Sequence, residues 1–352
     1  MGSRFHRRAP DQAAPRDGYS TPSSHVDRTL GRHYGEGSRN GGLVEQLRFD
    51  NKTIIITGAG RNLGREYALL LASRGANVVV NDLGVGISDS DGRAATPLEN
   101  PADAVVAEIH AAGGSAVANY DSVATSDGGE AIVQRALDAF GRVDVVVNNA
   151  GQVRMVPFPE FTDDLIETVI ATQLRGALNV SRPAWRVMAA RGGGRFVNVS
   201  SGAAWGGAPG GAVYGMAKMG VIGLTRSMAA EGGPLGIAAN VIAPYAKTRP
   251  GTGFGEIPWS DELGEWMHPR KVAPLVGWLA HDSCTVNGEC FSVGAGHFAQ
   301  VSLVMYEGLV DRDPTIESIA TGGAAMRSGP TSTIAIGGGA GALAQMLEGF
   351  GR

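Results

Sequence analysis

The feature that most constrains this chain is an alternation. Short runs rich in β-branched residues, at Thr53–Thr57, Asn77–Asn81, Ser115–Tyr120, Val143–Asn148, Arg195–Val199 and Ile237–Val241, recur between longer amphipathic stretches at 62–75, 101–113, 126–140, 163–190, 213–231 and 269–281. Runs that are apolar at nearly every position, rather than at every second one, are what strands buried on both faces require. Strands alternating with helices in this way predict an α/β fold, a doubly wound parallel sheet with helices on both faces. The stretch 163–190 is long enough for two helices.

Outside that pattern the composition changes. Residues 1–45 carry seven Arg, seven Gly and no Lys, with few aliphatic residues, and read as a disordered extension that buries too little to offset its ordering entropy. Residues 319–352 are Gly/Ala-rich and read as a weakly ordered tail, which leaves 46–318 as one α/β domain where any chemistry should be sought. The 53 Gly and 17 Pro together stay below the roughly 25–30% that marks a low-complexity chain, so disorder throughout is excluded. A formal charge of −4 leaves no basic footprint for nucleic acid or an anionic membrane. No apolar run approaches the ~18 residues of a membrane-spanning helix, and no signal peptide is visible, so the expected compartment is the cytoplasm.

The first strand runs straight into Thr57-Gly58-Ala59-Gly60-Arg61-Asn62-Leu63-Gly64, followed at once by a helix. Glycines there permit a tight turn and let a pyrophosphate reach backbone N–H groups at the helix N-terminus. Asp82 closes the second strand, where a carboxylate binds the adenosine-ribose hydroxyls and repels a 2′-phosphate. These residues predict a dinucleotide site.

At this point the chain resembles the short-chain dehydrogenase/reductase family over nearly all of 50–300, which implies a Rossmann fold. The family pattern is Thr-Gly-x-x-x-Gly-x-Gly; Asn62 stands at the middle glycine, and Asn tolerates the left-handed conformation better than other non-Gly residues. The resemblance assigns the cofactor to Gly58, Gly60, Arg61, Asn62, Leu63, Gly64 and Asp82, to Asp121 and Ser122 after the third strand, to Asn149, Ala150 and Gly151 after the fourth, and to Pro244. Arg61 occupies a position that is often basic in NADP-preferring members, whereas Asp82 would face a 2′-phosphate as a like charge; Asp82 decides for NAD.

Tyr214 and Lys218 are four apart on an expected helix and share a face, and Ser201 lies thirteen residues earlier at the end of a strand. Together they match the family's Ser…Tyr-x-x-x-Lys arrangement. That match implies Tyr214 as general acid/base, Lys218 beside it to favour phenolate and to hold the nicotinamide ribose, and Ser201 on the substrate oxygen. The usual fourth member, Asn, is replaced by Gln173, whose longer amide either relays protons or only caps and packs.

Further stretches, among them Val80–Gly84, Ala116–Val123, Val272–Leu279 and Phe291–Gly296, resemble the dehydrogenase domains of the peroxisomal type 2 multifunctional enzymes. That resemblance implies oxidation of a 3-hydroxyacyl-CoA or a 17β-hydroxysteroid, a lipid-like or CoA-linked small-molecule substrate, and a homodimer or homotetramer through the Tyr214 helix. Residues 246–268, with Trp259 and Trp266, fall at the family's substrate lid, and Gly84–Asn100 reads as a solvated loop near the cofactor. Such an insertion also admits a second reading, a trapped nicotinamide that needs an external acceptor. An NADPH-dependent ketoreductase of the 3-oxoacyl type and a catalytically silent nucleotide-binding scaffold stand as alternatives. His281, Cys284, Cys290 and His297 lack a paired C-x₂-C spacing, so no metal is expected and the two cysteines read as free thiols.

Overall fold

The computed structural model describes residues 45–84, 100–248 and 261–334. The expectations for 1–44, for the loop at 85–99, for most of the lid with Trp259, and for 335–352 lie outside the described residues. From residue 47 onward the described elements belong to one unit. They run β1 (Thr53–Thr57), α1 (Asn62–Ser73), β2 (Asn77–Asn81), α2 (Pro101–Ala111), β3 (Ser115–Asn119), α3 (Ser126–Phe140), β4 (Val145–Asn148), α4 (Asp163–Ile170), α5 (Gly176–Ala190), β5 (Gly194–Val199), α6 (Ala203–Gly206), α7 (Ala212–Gly232) and β6 (Ile237–Tyr245). Then follow α8 (Asp261–Trp266), α9 (Ala273–Ala280), β7 (Cys290–Gly294), β8 (His297–Val301), β9 (Val304–Tyr306), α10 (Ile316–Gly322) and β10 (Thr331–Thr333).

The main sheet has the order β3-β2-β1-β4-β5-β6-β7-β8. Its strands are parallel from β3 through β7, and β8 turns back antiparallel on β7 as an edge strand. Strand order reverses between β1 and β4, so the connections leave in opposite directions there and open a crevice at the strands' carboxyl ends. Alternate residues of each strand serve opposite faces. Ile54 and Ile56 join Tyr67, Leu71, Ile109, Val276 and Leu279 of α1, α2 and α9. Ile55 joins Ile132, Val180, Ala184 and Met188 of α3 and α5. These two layers are the reason the strands are apolar at every position.

Helix boundaries follow local chemistry. Asn100 caps α2 ahead of Pro101, Thr125 caps α3 by accepting from Gly128 N at 3.1 Å, and Gly141 ends α3 at φ +72°. The predicted 163–190 stretch is indeed two helices, but a π turn at Ala171–Arg175 joins them rather than a loop. Sequence reading found six strands of the main sheet and missed β7 and β8, five-residue strands Cys-Phe-Ser-Val-Gly and His-Phe-Ala-Gln-Val in which polar residues interrupt the apolar ones. At the amino ends of the strands, Arg142 grips Asp144 through two bonds of 2.7 and 2.5 Å, and Asp144 accepts Thr53 N at 2.8 Å. This ties β1 to the entry of β4.

Candidate active site

The Gly-rich turn leaves β1 at the point where strand order reverses. Gly58 has φ +62°, and a Cβ on it would stand 2.9 Å from the Ala150 Cα, so only glycine fits. A Cβ on Gly64 would overlap the Gly58 carbonyl, which is why α1 can start so close to β1. Asn62 takes φ +47°, the left-handed conformation expected of it. No side chain caps α1 and no acidic residue sits in its first turn. Backbone N–H groups therefore point from a helix N-terminus into the crevice without a capping oxygen, an arrangement that fits a pyrophosphate.

Asp82 stands beside this turn. Its Oδ2 accepts Gly60 N and its Oδ1 accepts Gly84 N, each at 3.0 Å, so the carboxylate is oriented by backbone and keeps lone pairs for ribose hydroxyls. Arg61 is half-buried at the N-cap of α1; its carbonyl accepts Arg65 N, and its guanidinium has no hydrogen bond or ion pair among the described residues. Asp121 receives the Asn119 amide at 2.6 Å, and Asn81 reaches both Asn119 Oδ1 and Asp121 O. Ser122 holds Ala124 N. Leu63 packs against the core layer of α1, and Pro244 lies at the end of β6 opposite Val293.

Asn149 plays a part that spacing does not reveal. Its amide donates to Thr57 O at 2.9 Å and Gly58 O at 3.0 Å, while Thr57 Oγ1 accepts Asn149 N and Ala150 N, each at 3.0 Å. The end of β4 is thus clasped to the Gly-rich turn. Gly151 lacks a side chain because the Gln173 amide fills that space. Gln173 sits in the π turn, buried, with Nε2 donating to Gln152 O and Oε1 left without a partner among the described residues.

Ser201 follows β5, and Tyr214 and Lys218 project from the first two turns of α7, which brings the three together at the carboxyl end of the sheet. All three are buried, Tyr214 to 7% exposure and Lys218 to 4%. Lys218 Nζ lies 5.8 Å from the Tyr214 ring centre and donates to Val199 O at 2.7 Å, while the Lys218 carbonyl accepts Ser200 Oγ at 2.8 Å. Two bonds running in opposite directions therefore stitch α7 to the end of β5. Burial raises the Tyr214 phenol above its ordinary range, partly opposed by a hydrogen bond with Ser201. Burial also lowers the Lys218 ammonium to about 7. Within the protein itself, desolvation rather than charge pairing dominates both groups.

Thr57, Ser200 and the amides of Asn81 and Asn119 hold this site together, and sequence reading passed over them. Thr57, Asn81 and Asn119 lay inside matched stretches and Ser200 beside Ser201, but none was given a role, because the partners of Thr57, Asn81 and Ser200 stand 92, 38 and 18 residues away. His281 uses Nδ1 on Ser283 and Nε2 on the Arg48 carbonyl and meets the Phe49 ring edge-on. Cys284 and Cys290 are buried free thiols, and burial pushes Cys290 up to about 12.

A glycine-bordered crevice at a strand-order reversal, with Ser, Tyr and Lys converging beside it, defines an oxidoreductase of the doubly wound dinucleotide-binding class. The chain belongs to the short-chain dehydrogenase family, whose model matches residues 52–250. Dehydrogenases of this family use nicotinamide cofactors and act on CH–OH donors. The chain is 45% identical over 254 residues to the peroxisomal multifunctional enzyme type 2 of Mus musculus, covering 72% of this chain and 33% of the mouse protein. It therefore spans about a third of that relative's length. It is 41% identical over 271 residues to a short-chain type dehydrogenase/reductase of Mycobacterium tuberculosis, covering 77% of this chain and 92% of that one. The solved structure of the full-length multifunctional enzyme type 2 of Drosophila melanogaster superposes with a TM-score of 0.70 at 32% identity, over 86% of this chain and 50% of that chain. Among the described residues no helix is long and apolar enough to cross a membrane.

Proposed function

We propose that this protein oxidises a secondary alcohol with hydride transfer to NAD, and that its substrate is a 3-hydroxyacyl-CoA or a 17β-hydroxysteroid. The observation that carries this reading is the convergence of Ser201, Tyr214 and Lys218 beside the turn that fits a pyrophosphate. NAD, when bound, supplies the hydride acceptor. Ser201 donates a hydrogen bond to the carbinol oxygen and Tyr214 takes its proton as the C–H bond breaks; in reduction the same phenol returns the proton. Tyr214 and Lys218 titrate as a pair: a phenolate raises the neighbouring ammonium, and the ammonium in turn stabilises the phenolate. The substrate class is supported by the likeness to the peroxisomal type 2 multifunctional enzymes, 45% identical in the mouse case.

Incubating the full chain with NAD and a panel of 3-hydroxyacyl-CoAs and hydroxysteroids, and following NADH, tests the substrate. No NADH from any member would overturn it. Tyr214→Phe removes the proton acceptor and is expected to lower kcat about a thousandfold. Normal turnover of that variant would overturn the mechanism, and loss of all turnover in the wild type with retained NAD binding would favour a silent scaffold.

A second reading, an NADPH-dependent ketoreductase of the 3-oxoacyl type, rests on Arg61, a guanidinium at the mouth of the turn with no described partner. Asp82 opposes it, because both carboxylate oxygens are held by backbone N–H groups where a 2′-phosphate would have to lie. The ratio of kcat/KM for NADH and NADPH decides between them. We further propose a homodimer or homotetramer, supported by exposed Leu178 on α5 and Met216 and Met219 on α7.

A further inference from the structure

Tyr245 ends β6 and has no role in the chemistry above. Its residue parity gives its direction. Along β6, Val241 packs with Val221 and Ile222 of α7, whereas Ile242 joins the opposite layer with Val276 and Leu279 of α9. Strand side chains alternate, so Tyr245 belongs with Val241 on the face of the Tyr214 helix. Register gives its neighbour. Val199, the last residue of β5, pairs with Ile242, and three residues on come Gly202, in the turn after β5, and Tyr245, the last residue of β6. The two do meet there: a Cβ on Gly202 would overlap the Tyr245 hydroxyl. Gly202 directly follows Ser201, so the phenolic oxygen lies against the residue next to the serine that receives the reacting oxygen.

The phenol is not accounted for by packing. Tyr245 is 48% exposed, and its hydroxyl has no hydrogen-bond partner among the described residues. It is a donor at the mouth of the crevice whose place next to Ser201 is kept open by a glycine.

We propose that the Tyr245 hydroxyl is a second recognition point for substrate, donating a hydrogen bond to the thioester carbonyl of a 3-hydroxyacyl substrate, and so selects such thioesters over alcohols that carry only the reacting oxygen. This rests on the reading that the Ser201–Tyr214 site oxidises secondary alcohols with NAD, and it decides between the two substrate classes left open there. In a 3-hydroxyacyl thioester one methylene separates the carbinol carbon from the carbonyl carbon. Its two oxygens, each hydrogen-bonded at about 2.8 Å, suit two donors set on adjacent residues' space. A hydroxysteroid with a lone ring alcohol offers no second acceptor nearby.

The test compares wild type with Tyr245→Phe, which keeps the ring against Gly202 and removes only the donor. Steady-state kinetics are measured with 3-hydroxybutyryl-CoA and with a secondary alkanol of similar chain length, with Tm as a folding control. The expected result is about a tenfold fall in kcat/KM for the thioester, carried by KM with kcat nearly unchanged, and less than a twofold change for the alkanol. An equal loss on both substrates, or no loss on the thioester, overturns the role of Tyr245 while leaving the oxidation itself standing. Wild-type protein that oxidises hydroxysteroids but no 3-hydroxyacyl thioester overturns both this role and that substrate class.

Discussion

Lys218 is the residue at which physical cost and chemical use are most directly opposed. Burial lowers its pKa from 10.5 to about 7, so between those values the unfolded chain binds a proton that the folded chain does not. Stability must therefore rise with pH from about 7 to about 10.5, and the full penalty of a buried ammonium is present below 7. Lys218→Met removes that group while keeping most of its bulk. The variant is expected to be most stable relative to wild type at pH 6 to 7, with the difference shrinking as pH approaches 10; urea unfolding at several pH values measures it. A difference independent of pH would contradict the assignment. The same side chain was legible in sequence as the fourth residue after Tyr214, because helical spacing alone puts the two on one face. Its depressed ionisation was not, because burial depends on Val199 and the layers around it.

At the scale of elements, the site is held by connections between strands. Thr57 is buried, and its hydroxyl accepts two backbone N–H groups from the segment after β4. Thr57→Val keeps the shape and leaves both donors unsatisfied, so it is expected to cost about 2 kcal/mol of stability and to weaken NAD binding, measured by chemical denaturation and by titration of the cofactor. Unchanged affinity with reduced stability would separate the clasp from the binding turn. The glycine turn, Asp82 and the strand that ends in Asn148 were all visible in the sequence, since each is local. That Asn149 braces carbonyl oxygens of the turn, and that Gly151 makes room for Gln173, became visible only when β1, β4 and the π turn were brought side by side. Replacement of the usual Asn by Gln173 goes together with that turn: the longer amide finds Gln152 O, and its own oxygen has no partner among the described residues.

For the whole molecule, the largest departures from the sequence reading lie at the far edge of the sheet. The parallel series continues through β7 and then reverses into β8, and beyond it β9 pairs antiparallel with β10 across the boundary drawn at residue 318. Exposed apolar side chains include Leu178, Met216 and Met219 on α5 and α7, and Val304, Tyr306, Val310 and Ile316 after β8. Light scattering coupled to size-exclusion chromatography is expected to return two or four times the 36.3 kDa chain mass, and a charged substitution at Met216 to reduce it. A monomer at micromolar concentration would contradict the proposed assembly.

The sequence by itself determined the α/β class, the places of six strands, the glycine turn, Asp82 and the shared helix face of Tyr214 and Lys218, because each is written in local periodicity or in spacing along one element; Ser201 joined that pair through the resemblance to the family pattern. Tertiary structure alone decided the edge strands, the π turn under Gln173, the Thr57 and Asn149 clasp and the meeting of Tyr245 with Gly202. These depend on hydrogen bonds and steric exclusion between segments tens of residues apart, and such contacts leave no period in the chain that makes them.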